Sequence, residues 1–97
     1  MFTSIRRYNV RRGSAEELAR RVAEGFVPLL RQMQGFRSYY LLDGGPDVLI
    51  TISRFDSADE ALASNEKAAE WVRNNVLGFT KGTPEVMVGH TLIAEVK

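Results

Sequence analysis

The sequence predicts a single α+β domain in which strands and helices follow one another in the order βαββαβ. Three observations lead to this prediction. Two long stretches carry apolar residues at helical spacing, and each begins with a Ser-x-x-Glu motif, Ser14–Glu17 in one and Ser57–Glu60 in the other. The stretches around them are rich in β-branched and aromatic residues. Glycines stand at the boundaries between the two kinds of segment.

The first part of the chain is expected to form a strand and then a long helix. Phe2–Val10 has the composition of a strand. The first helix is expected to begin at Ser14 and to stop at Gly35, since glycine suits a helix C-terminus. Pro28 lacks a backbone donor inside this helix, so a kink is expected near Glu24–Pro28.

The rest of the chain is expected to form a hairpin, a second helix and a last strand. Asp43–Asp47 contains two glycines and a proline and is predicted to be the hairpin turn. Gly78 is expected to close the second helix, and Lys81–Pro84 to form a loop. The predicted strands of this part are Phe36–Leu42, Val48–Phe55 and Glu85–Val96.

This order is that of the ferredoxin-like fold, an antiparallel four-stranded sheet with both helices on one face. The helices leave the other face of the sheet uncovered, yet the third strand has apolar residues on both faces. A homodimer in which a second sheet covers the open face, giving a dimeric α/β barrel, is therefore expected. In the third strand one face consists of Val48, Ile50 and Ile52, and the other of Leu49, Thr51, Ser53 and Phe55.

Composition narrows the classes of function. The 97 residues are 44% hydrophobic and 26% charged, as in one soluble globular domain spanning residues 1–97. The formal net charge is +1, which gives no overall field for binding nucleic acid or membrane. No cysteine is present, which excludes disulfides, thiol catalysis and thiolate metal sites. With neither a signal-peptide pattern nor a segment of membrane-spanning length, a cytoplasmic location is expected.

Asn65 places an amide in the apolar stripe of the predicted second helix. A buried amide without hydrogen bonds costs about 1–3 kcal/mol. Asn65 is therefore expected either to bond a loop backbone, which would pin the helix to the sheet, or to face a polar cavity. At about 100° per residue, the side chains within about 60° of it are Ala58, Ala61, Leu62, Ala68, Ala69, Val72 and Val76.

Four short segments carry a family resemblance: Gly35-Phe36, Ser53–Ser57, Ser64–Val72 and Pro84–Val86. Together they resemble the dimeric α/β-barrel proteins of the antibiotic biosynthesis monooxygenase superfamily, over nearly the whole chain. The better-known members of that superfamily are cofactor-independent oxygenases of polyketide anthrones, quinol oxygenases and haem-degrading enzymes. The resemblance implies a pocket between sheet and helices in each subunit.

The resemblance weakens at the residues that carry the family's chemistry. Where the oxygenase pattern has an asparagine and a tryptophan on the third strand, this chain has Thr51 and Phe55. The first-strand asparagine of the haem degraders corresponds to Arg6, and their helical tryptophan falls near Ser64. The second helix has no histidine to bind iron. The resemblance therefore argues against haem degradation, and no cofactor is expected.

His90 is the only histidine and is predicted to lie on the last strand, in phase with Val86, Val88 and Leu92. Its ordinary pKa makes it the best proton carrier in the chain. The alternative is a strand histidine bonded to a neighbour or to water. A lone histidine without cysteines gives little basis for a metal site, so none is expected.

Aromatic side chains are candidates for the walls of a ligand cavity. Trp71 lies about 120° from Asn65 around the helix, where it can either close the edge of the core or face a planar ligand. Tyr40 is expected to share a strand face with Phe36 and Ser38. If the relevant faces meet the helices, the polar groups near Asn65 are those of Tyr8, Arg6 and Tyr40.

Two hypotheses follow. In the first, the chain is a cofactor-independent oxygenase of a small aromatic or quinol-type molecule, in which Asn65 holds the substrate oxyanion and His90 is the base. Trp71 and Tyr40 would then frame the substrate ring. In the second, the chain is a non-catalytic dimer that binds a ligand or serves as a scaffold, which the presence of Thr51 and Phe55 favours.

An RNA-recognition module has the same order of elements, and Gly35–Tyr40 resembles part of its aromatic signature. That signature belongs on the third strand, whereas here it falls on the second. The third strand instead offers aliphatic side chains, so no nucleic-acid partner is expected.

Overall fold

The structure is a computed structural model that describes residues 1–97. It confirms the predicted βαββαβ order, with the first helix divided into two α-helical segments. A π-helical turn, Val22–Phe26, joins these two segments, and a 3-10 turn, Leu77–Phe79, leads into the last strand. The elements are β1 Phe2–Val10, α1 Ala15–Arg21, α2 Val27–Gln32, β2 Phe36–Asp43, β3 Val48–Phe55, α3 Ala58–Asn75 and β4 Thr80–His90.

The four strands form one antiparallel sheet in the order β2-β3-β1-β4. The helices lie on one face of it, which confirms the ferredoxin-like prediction. The predicted alternation of β3 is also confirmed, because Leu49, Thr51, Ser53 and Phe55 are all buried against the helices. The hydrophobic core lies between this face of the sheet and the helices.

The two Ser-x-x-Glu motifs behave differently. Ser57 caps α3 as predicted, since its Oγ accepts a hydrogen bond from the Glu60 backbone N–H at 3.2 Å. Ser14 precedes α1 but makes no side-chain capping bond, because its backbone is already helical (φ −93°, ψ −7°). The carboxylate of Glu17 pairs with Arg20 and Arg21 instead of completing a capping box.

The irregularity expected around Pro28 is a π-helical turn on its N-terminal side. Pro28 occupies the first turn of α2, where a missing N–H does little harm. The π turn over Val22–Phe26, just before Pro28, accommodates the backbone hydrogen bond that the proline cannot donate. This turn packs against α3, because Gly25 lies next to the indole of Trp71. The π turn before Pro28 therefore shapes the contact between the two helices.

β4 begins and ends earlier than predicted. Lys81–Pro84, predicted as a loop, lies within the strand, and Lys81 pairs with Asn9 of β1. Between Arg7 and Asn9 the register shifts, and the extra residues of β4 form a bulge there. Gly82 lies in this bulge with a φ of +67°, which suits glycine. The strand ends at His90, so the predicted extension to Val96 is wrong. Residues 91–97 form no helix or strand.

The face of the sheet opposite the helices has apolar side chains with no covering layer. Tyr40 is 53% exposed and Met87 is 66% exposed there, and Leu42 is exposed as well. In the tail beyond β4, Leu92, Ile93 and Val96 are also exposed. No helix of the structure combines the length and the apolar character needed to cross a membrane.

Candidate functional site

A small cavity lies between the helix-side face of the sheet and the helices. Its free volume is about 30 Å³, so its own side chains fill most of it. That volume has room for about two water molecules. Of the 14 lining residues, most are aliphatic or aromatic; the aromatic ones are Tyr8, Phe26, Tyr39 and Trp71, and the polar ones are Arg6, Thr51 and Thr80.

Arg6 of β1 is the one cation in the lining and is only 3% exposed. Its Nε donates a hydrogen bond to Thr51 Oγ1 on the neighbouring strand, at 3.2 Å. Its NH1 donates to Asn65 Oδ1 on α3, at 3.0 Å. The guanidinium thus joins the sheet to α3, and both of its acceptors are uncharged.

Asn65 bonds side chains of β1, so the alternative in which it bonds a loop backbone is wrong. Its Oδ1 also accepts a hydrogen bond from Ser4 Oγ at 2.8 Å, so one amide oxygen serves two donors. Its Nδ2 takes part in no hydrogen bond within the structure. With the oxygen occupied, the amide N–H groups are the unused donors of Asn65, although Asn65 itself is not part of the cavity lining.

Asn65 lies at the edge of the buried face of α3, so its predicted position at the centre of the stripe is wrong. Ala61, Ser64 and Ala68 form the buried face, while Leu62 is 53% exposed. Ser64 tolerates full burial because its hydroxyl donates to the Ala61 carbonyl at 2.6 Å. The helix is therefore rotated toward Ser64 relative to the expectation from apolar spacing.

No carboxylate neutralises Arg6. All ion pairs of the structure lie on exposed side chains, and Arg6 belongs to none of them. The lining contains no aspartate, glutamate, lysine or histidine. A cation that is buried without a counter-ion is costly, which makes this arrangement unusual for a purely structural residue.

Two tyrosine hydroxyls share the environment of Arg6. Burial raises the pKa of Tyr39 to about 12, although the positive charge of Arg6 lowers it in part. Burial likewise raises the pKa of Tyr8, again against an opposing effect of Arg6. Both tyrosines therefore stay protonated at neutral pH and can donate hydrogen bonds, but neither is suited to accept a proton.

The structure brings most of the predicted site residues together. The residues Arg6, Tyr8, Thr51 and Trp71 line the cavity. Asn65 bonds Arg6 but does not line the cavity itself. Phe55 is fully buried on the same face, but it packs on Phe36 with ring centroids 5.7 Å apart and is not part of the lining.

His90 is not brought to the cavity. It is exposed at the end of β4, where its ring stacks on Phe2 with centroids 5.0 Å apart. In the β1–β4 register it pairs with Phe2, and Val88 pairs with Ser4. Because β4 is an edge strand and no element covers its end, the side chain faces solvent.

Tyr40 lies on the wrong face of the sheet for the predicted role, and Tyr39 takes its place. Phe36 pairs with Phe55 but Ser38 pairs with Arg54, which shows an irregularity at Arg37. The extra residue inverts the alternation, so Phe36 and Tyr39 both face the helices. Nothing in the sequence marks this bulge, and Tyr39 was missed for that reason.

A second, open depression adjoins the cavity on the protein surface. Its volume is about 240 Å³. Trp71 and Val76 border both spaces, so they form the partition between them. Trp71 packs closely on the π turn, because a Cβ added to Gly25 would lie 2.9 Å from its Cζ2. The other residues of the depression are Arg21, Glu24, Gly25 and Asn75.

Comparison with protein families shows the family to which the chain belongs. The family model described as antibiotic biosynthesis monooxygenase matches residues 1–73. The chain belongs to that family, as the four short segments indicated. No curated protein matches the sequence.

Solved structures share the fold at low sequence identity. A protein of unknown function from Nitrosomonas europaea has a TM-score of 0.83 at 18% identity, covering 99% of this chain and 93% of that one. A monooxygenase from the ActVA-Orf6 gene of Streptomyces coelicolor, in complex with nanaomycin D, has a TM-score of 0.78 at 15% identity, with coverages of 99% and 91%. A MhuD variant with two manganese protoporphyrin IX molecules per active site has a TM-score of 0.78 at 16% identity, with both chains covered completely. These similarities establish the fold.

Proposed function

We propose that this protein is a cofactor-independent monooxygenase of a small aromatic or quinol-type molecule, bound in the cavity between the sheet and α3. The observation that carries the proposal is the combination of aromatic walls with a polar end formed by Arg6, whose guanidinium also bonds Asn65. Membership of the monooxygenase family and the nanaomycin D complex of one structural neighbour support it.

In the proposed reaction the protein supplies position and electrostatics, and O₂ is the oxidant. For an anthrone-type substrate, the reacting CH₂ loses two hydrogens and becomes a carbonyl with one oxygen atom of O₂. The second oxygen atom leaves as water with those two hydrogens. An electron-rich oxyanion form of the substrate reacts most readily, and in this proposal it is held by Arg6 and by the N–H groups of Asn65, which bonds Arg6.

The ring of the substrate would lie between the aromatic walls. Trp71 of α3 and Tyr39 of β2 both belong to the lining. Phe26 contacts both, with ring centroids 5.6 Å from Trp71 and 6.1 Å from Tyr39. Stacking between such rings contributes about 0.5–1.5 kcal/mol beyond the area buried.

A substrate of this size needs more room than the closed cavity provides. The surface depression of about 240 Å³ lies directly behind Trp71. We propose that the substrate reaches the cavity from this depression, with rotation of the indole opening the partition. His90 lies outside this route and has no assigned step.

The proposal is tested by measuring O₂ consumption with anthrone and with a reduced naphthoquinone. Asn65→Leu removes the amide that binds the oxyanion and is expected to lower kcat/KM by about 10²-fold or more. Asn74→Leu, at an exposed position of the same helix, is the matched control and is expected to keep wild-type turnover. Full activity of Asn65→Leu would remove the assigned role.

A second candidate function is a non-catalytic ligand-binding or structural protein. The observation that favours it is the small free volume of the cavity, together with polar groups that already bond one another. Ligand binding without O₂ consumption for every anthrone and quinol tested would support this candidate over the enzyme.

We also propose that the chain forms a homodimer through the open face of the sheet. Tyr40, Leu42 and Met87 leave an apolar surface there, which a second copy would cover. The exposed apolar side chains of the tail beyond β4 add to the surface available for this contact.

A further inference from the structure

We infer that the cavity takes a ligand that is already an anion in solution: a flat aromatic molecule whose carboxylate, or whose strongly acidic phenol or enol, binds the guanidinium of Arg6. This inference deepens the proposed function and rests on its choice of the cavity as the ligand site. It specifies the charge of the ligand, which the family assignment leaves open.

The first step is the charge balance of the cavity. Arg6 is 3% exposed and forms no ion pair. Its hydrogen-bond acceptors are an amide oxygen and a hydroxyl oxygen, so its charge remains uncompensated. A buried cation of this kind is stabilised most by an anion that enters the same cavity.

The second step is the absence of a proton acceptor in the lining. Its only titratable groups are Arg6, Tyr8 and Tyr39. The arginine is a permanent cation, and the two tyrosines are neutral donors at physiological pH. A ligand that had to lose its proton inside the cavity would find no group in the lining to receive it, which favours a ligand that is already ionised when it enters.

The third step is the shape of the site. A guanidinium is planar and presents its donors in a fork that matches two oxygens of a planar anion. Two of the five N–H donors of Arg6 bond Thr51 and Asn65, and the hydroxyls of Tyr8 and Tyr39 also lie within reach of the guanidinium. The Tyr39 hydroxyl, which lines the cavity close to Arg6, adds a neutral donor.

The test uses two probes of nearly equal shape, 2-naphthoate and 2-naphthamide, with binding measured by titration calorimetry at pH 7. Neither probe is offered as a substrate, so the outcome is independent of whether the protein is an oxygenase. Wild-type protein is expected to bind the anion at least about tenfold more tightly than the neutral amide. 2-Naphthol, which is neutral at this pH, is expected to bind like the amide.

Arg6→Met removes the charge while keeping a side chain of similar length, and it is expected to abolish the preference for the anion. Arg73→Met makes the same change in net charge at an exposed position of α3 and is expected to keep the preference. Asn65→Asp is a second variant, which keeps Arg6 but gives it a carboxylate. It is expected to lose binding of 2-naphthoate while remaining folded by circular dichroism.

Several results would overturn the inference. Equal affinity of wild-type protein for 2-naphthoate and 2-naphthamide would show that Arg6 does not select charge. A preference that survives in Arg6→Met would place the anion elsewhere. Tighter binding of 2-naphthol than of 2-naphthoate, or no binding of either ring at millimolar concentration, would also refute it. Loss of O₂ consumption alone bears only on the oxygenase proposal.

Discussion

The Oδ1 atom of Asn65 lies 3.0 Å from NH1 of Arg6, so a neutral amide stands where a buried arginine would ordinarily meet a carboxylate. The pair connects α3 to β1 and sits beside a cavity without acidic groups. The amide satisfies one donor of the guanidinium and leaves its charge available. This relationship can be tested by changing either partner.

Asn65→Asp is expected to stabilise the empty protein by about 1–2 kcal/mol, because it supplies the missing counter-ion at hydrogen-bond distance. Ser4 can still donate to the new carboxylate. Arg6 would lower the pKa of the new aspartate in the folded state. The gain is therefore expected above about pH 4 and is lost as the pH falls through the lowered pKa.

Urea denaturation at several pH values measures this gain. Asn74→Asp introduces the same charge at an exposed position of α3 and should show little change at any pH. A destabilised Asn65→Asp at pH 7 would indicate that Arg6 already has a compensating charge.

Arg6→Met is expected to leave stability unchanged or to raise it, since an apolar side chain of similar length replaces an uncompensated buried charge. Thermal denaturation of wild-type and variant protein provides the measurement. Leu30→Ala, at a fully buried position of α2, is the comparison and should lose about 2–5 kcal/mol. A comparable loss in Arg6→Met would mean that the arginine is held for structural reasons.

The raised pKa of Tyr39 predicts that the free energy of unfolding falls at alkaline pH. Its pKa is raised by burial from 10.0 to about 12, so the folded state disfavours the phenolate more than the unfolded state does. The contribution is fully present below pH 10 and falls as the pH rises from 10 toward 12. With about 1.4 kcal/mol per pKa unit, the rise from 10.0 to about 12 corresponds to a loss of about 3 kcal/mol.

Denaturation curves between pH 9 and pH 12 test this expectation. In Tyr39→Phe the free energy of unfolding should change less between pH 9 and pH 12, because the phenol that titrates is gone. Tyr40→Phe changes the neighbouring residue on the other face and serves as the control. An identical alkaline limb in wild type and Tyr39→Phe would assign the effect to another group.

Gly25→Ala is expected to move the indole of Trp71. The added methyl would lie 2.9 Å from Cζ2, closer than side chains tolerate, while the helix itself gains about 0.5–1 kcal/mol from alanine. Trp71 is the only tryptophan, so its fluorescence reports the change directly. A shifted emission maximum with altered affinity for 2-naphthoate would support the partition between depression and cavity.

Gly78→Ala, which adds a methyl group where no atom lies within 4 Å, is the matched control for Gly25→Ala. It should leave both the emission and the affinity unchanged. An emission spectrum of Gly25→Ala identical to wild type would show that the added methyl group does not move the indole.

Met87→Glu is expected to dissociate the proposed homodimer, because it places a charge on the exposed apolar face of the sheet. Analytical ultracentrifugation of wild-type protein should show a dimer, and the variant should sediment as a folded monomer. Glu66→Gln, on an exposed helical surface, should stay dimeric. Wild-type protein that is monomeric at micromolar concentration would contradict the dimer.

The fold was predictable because local signals agreed with one another. The Ser57 cap, the apolar alternation of β3 and the glycines at the boundaries all indicate the same elements. The site was harder to predict, because it depends on how elements are rotated and aligned. Apolar spacing centred α3 on Asn65, whereas the hydrogen bond of Ser64 allows a polar residue at the centre of the buried face.

The same limit explains Tyr40 and His90. A single bulge at Arg37 inverts the faces of β2, and no residue type there marks it. His90 was assigned by its chemistry, but its position at the end of an edge strand keeps it from the cavity. Arg6, in contrast, was identified from sequence as one of the polar groups near Asn65, and the structure places it there.

The bulge at Arg37 has a consequence for the tolerance of this site to mutation. β2 reads Tyr39-Tyr40-Leu41-Leu42, so each residue facing the cavity has an identical neighbour facing the other way. Deletion of one residue before Tyr39 would shift the strand by one position and bring Tyr40 and Leu42 to the cavity. The replaced phenol and isobutyl groups would be the same, so the repeated pairs make the chemistry of the wall insensitive to a slip in alignment.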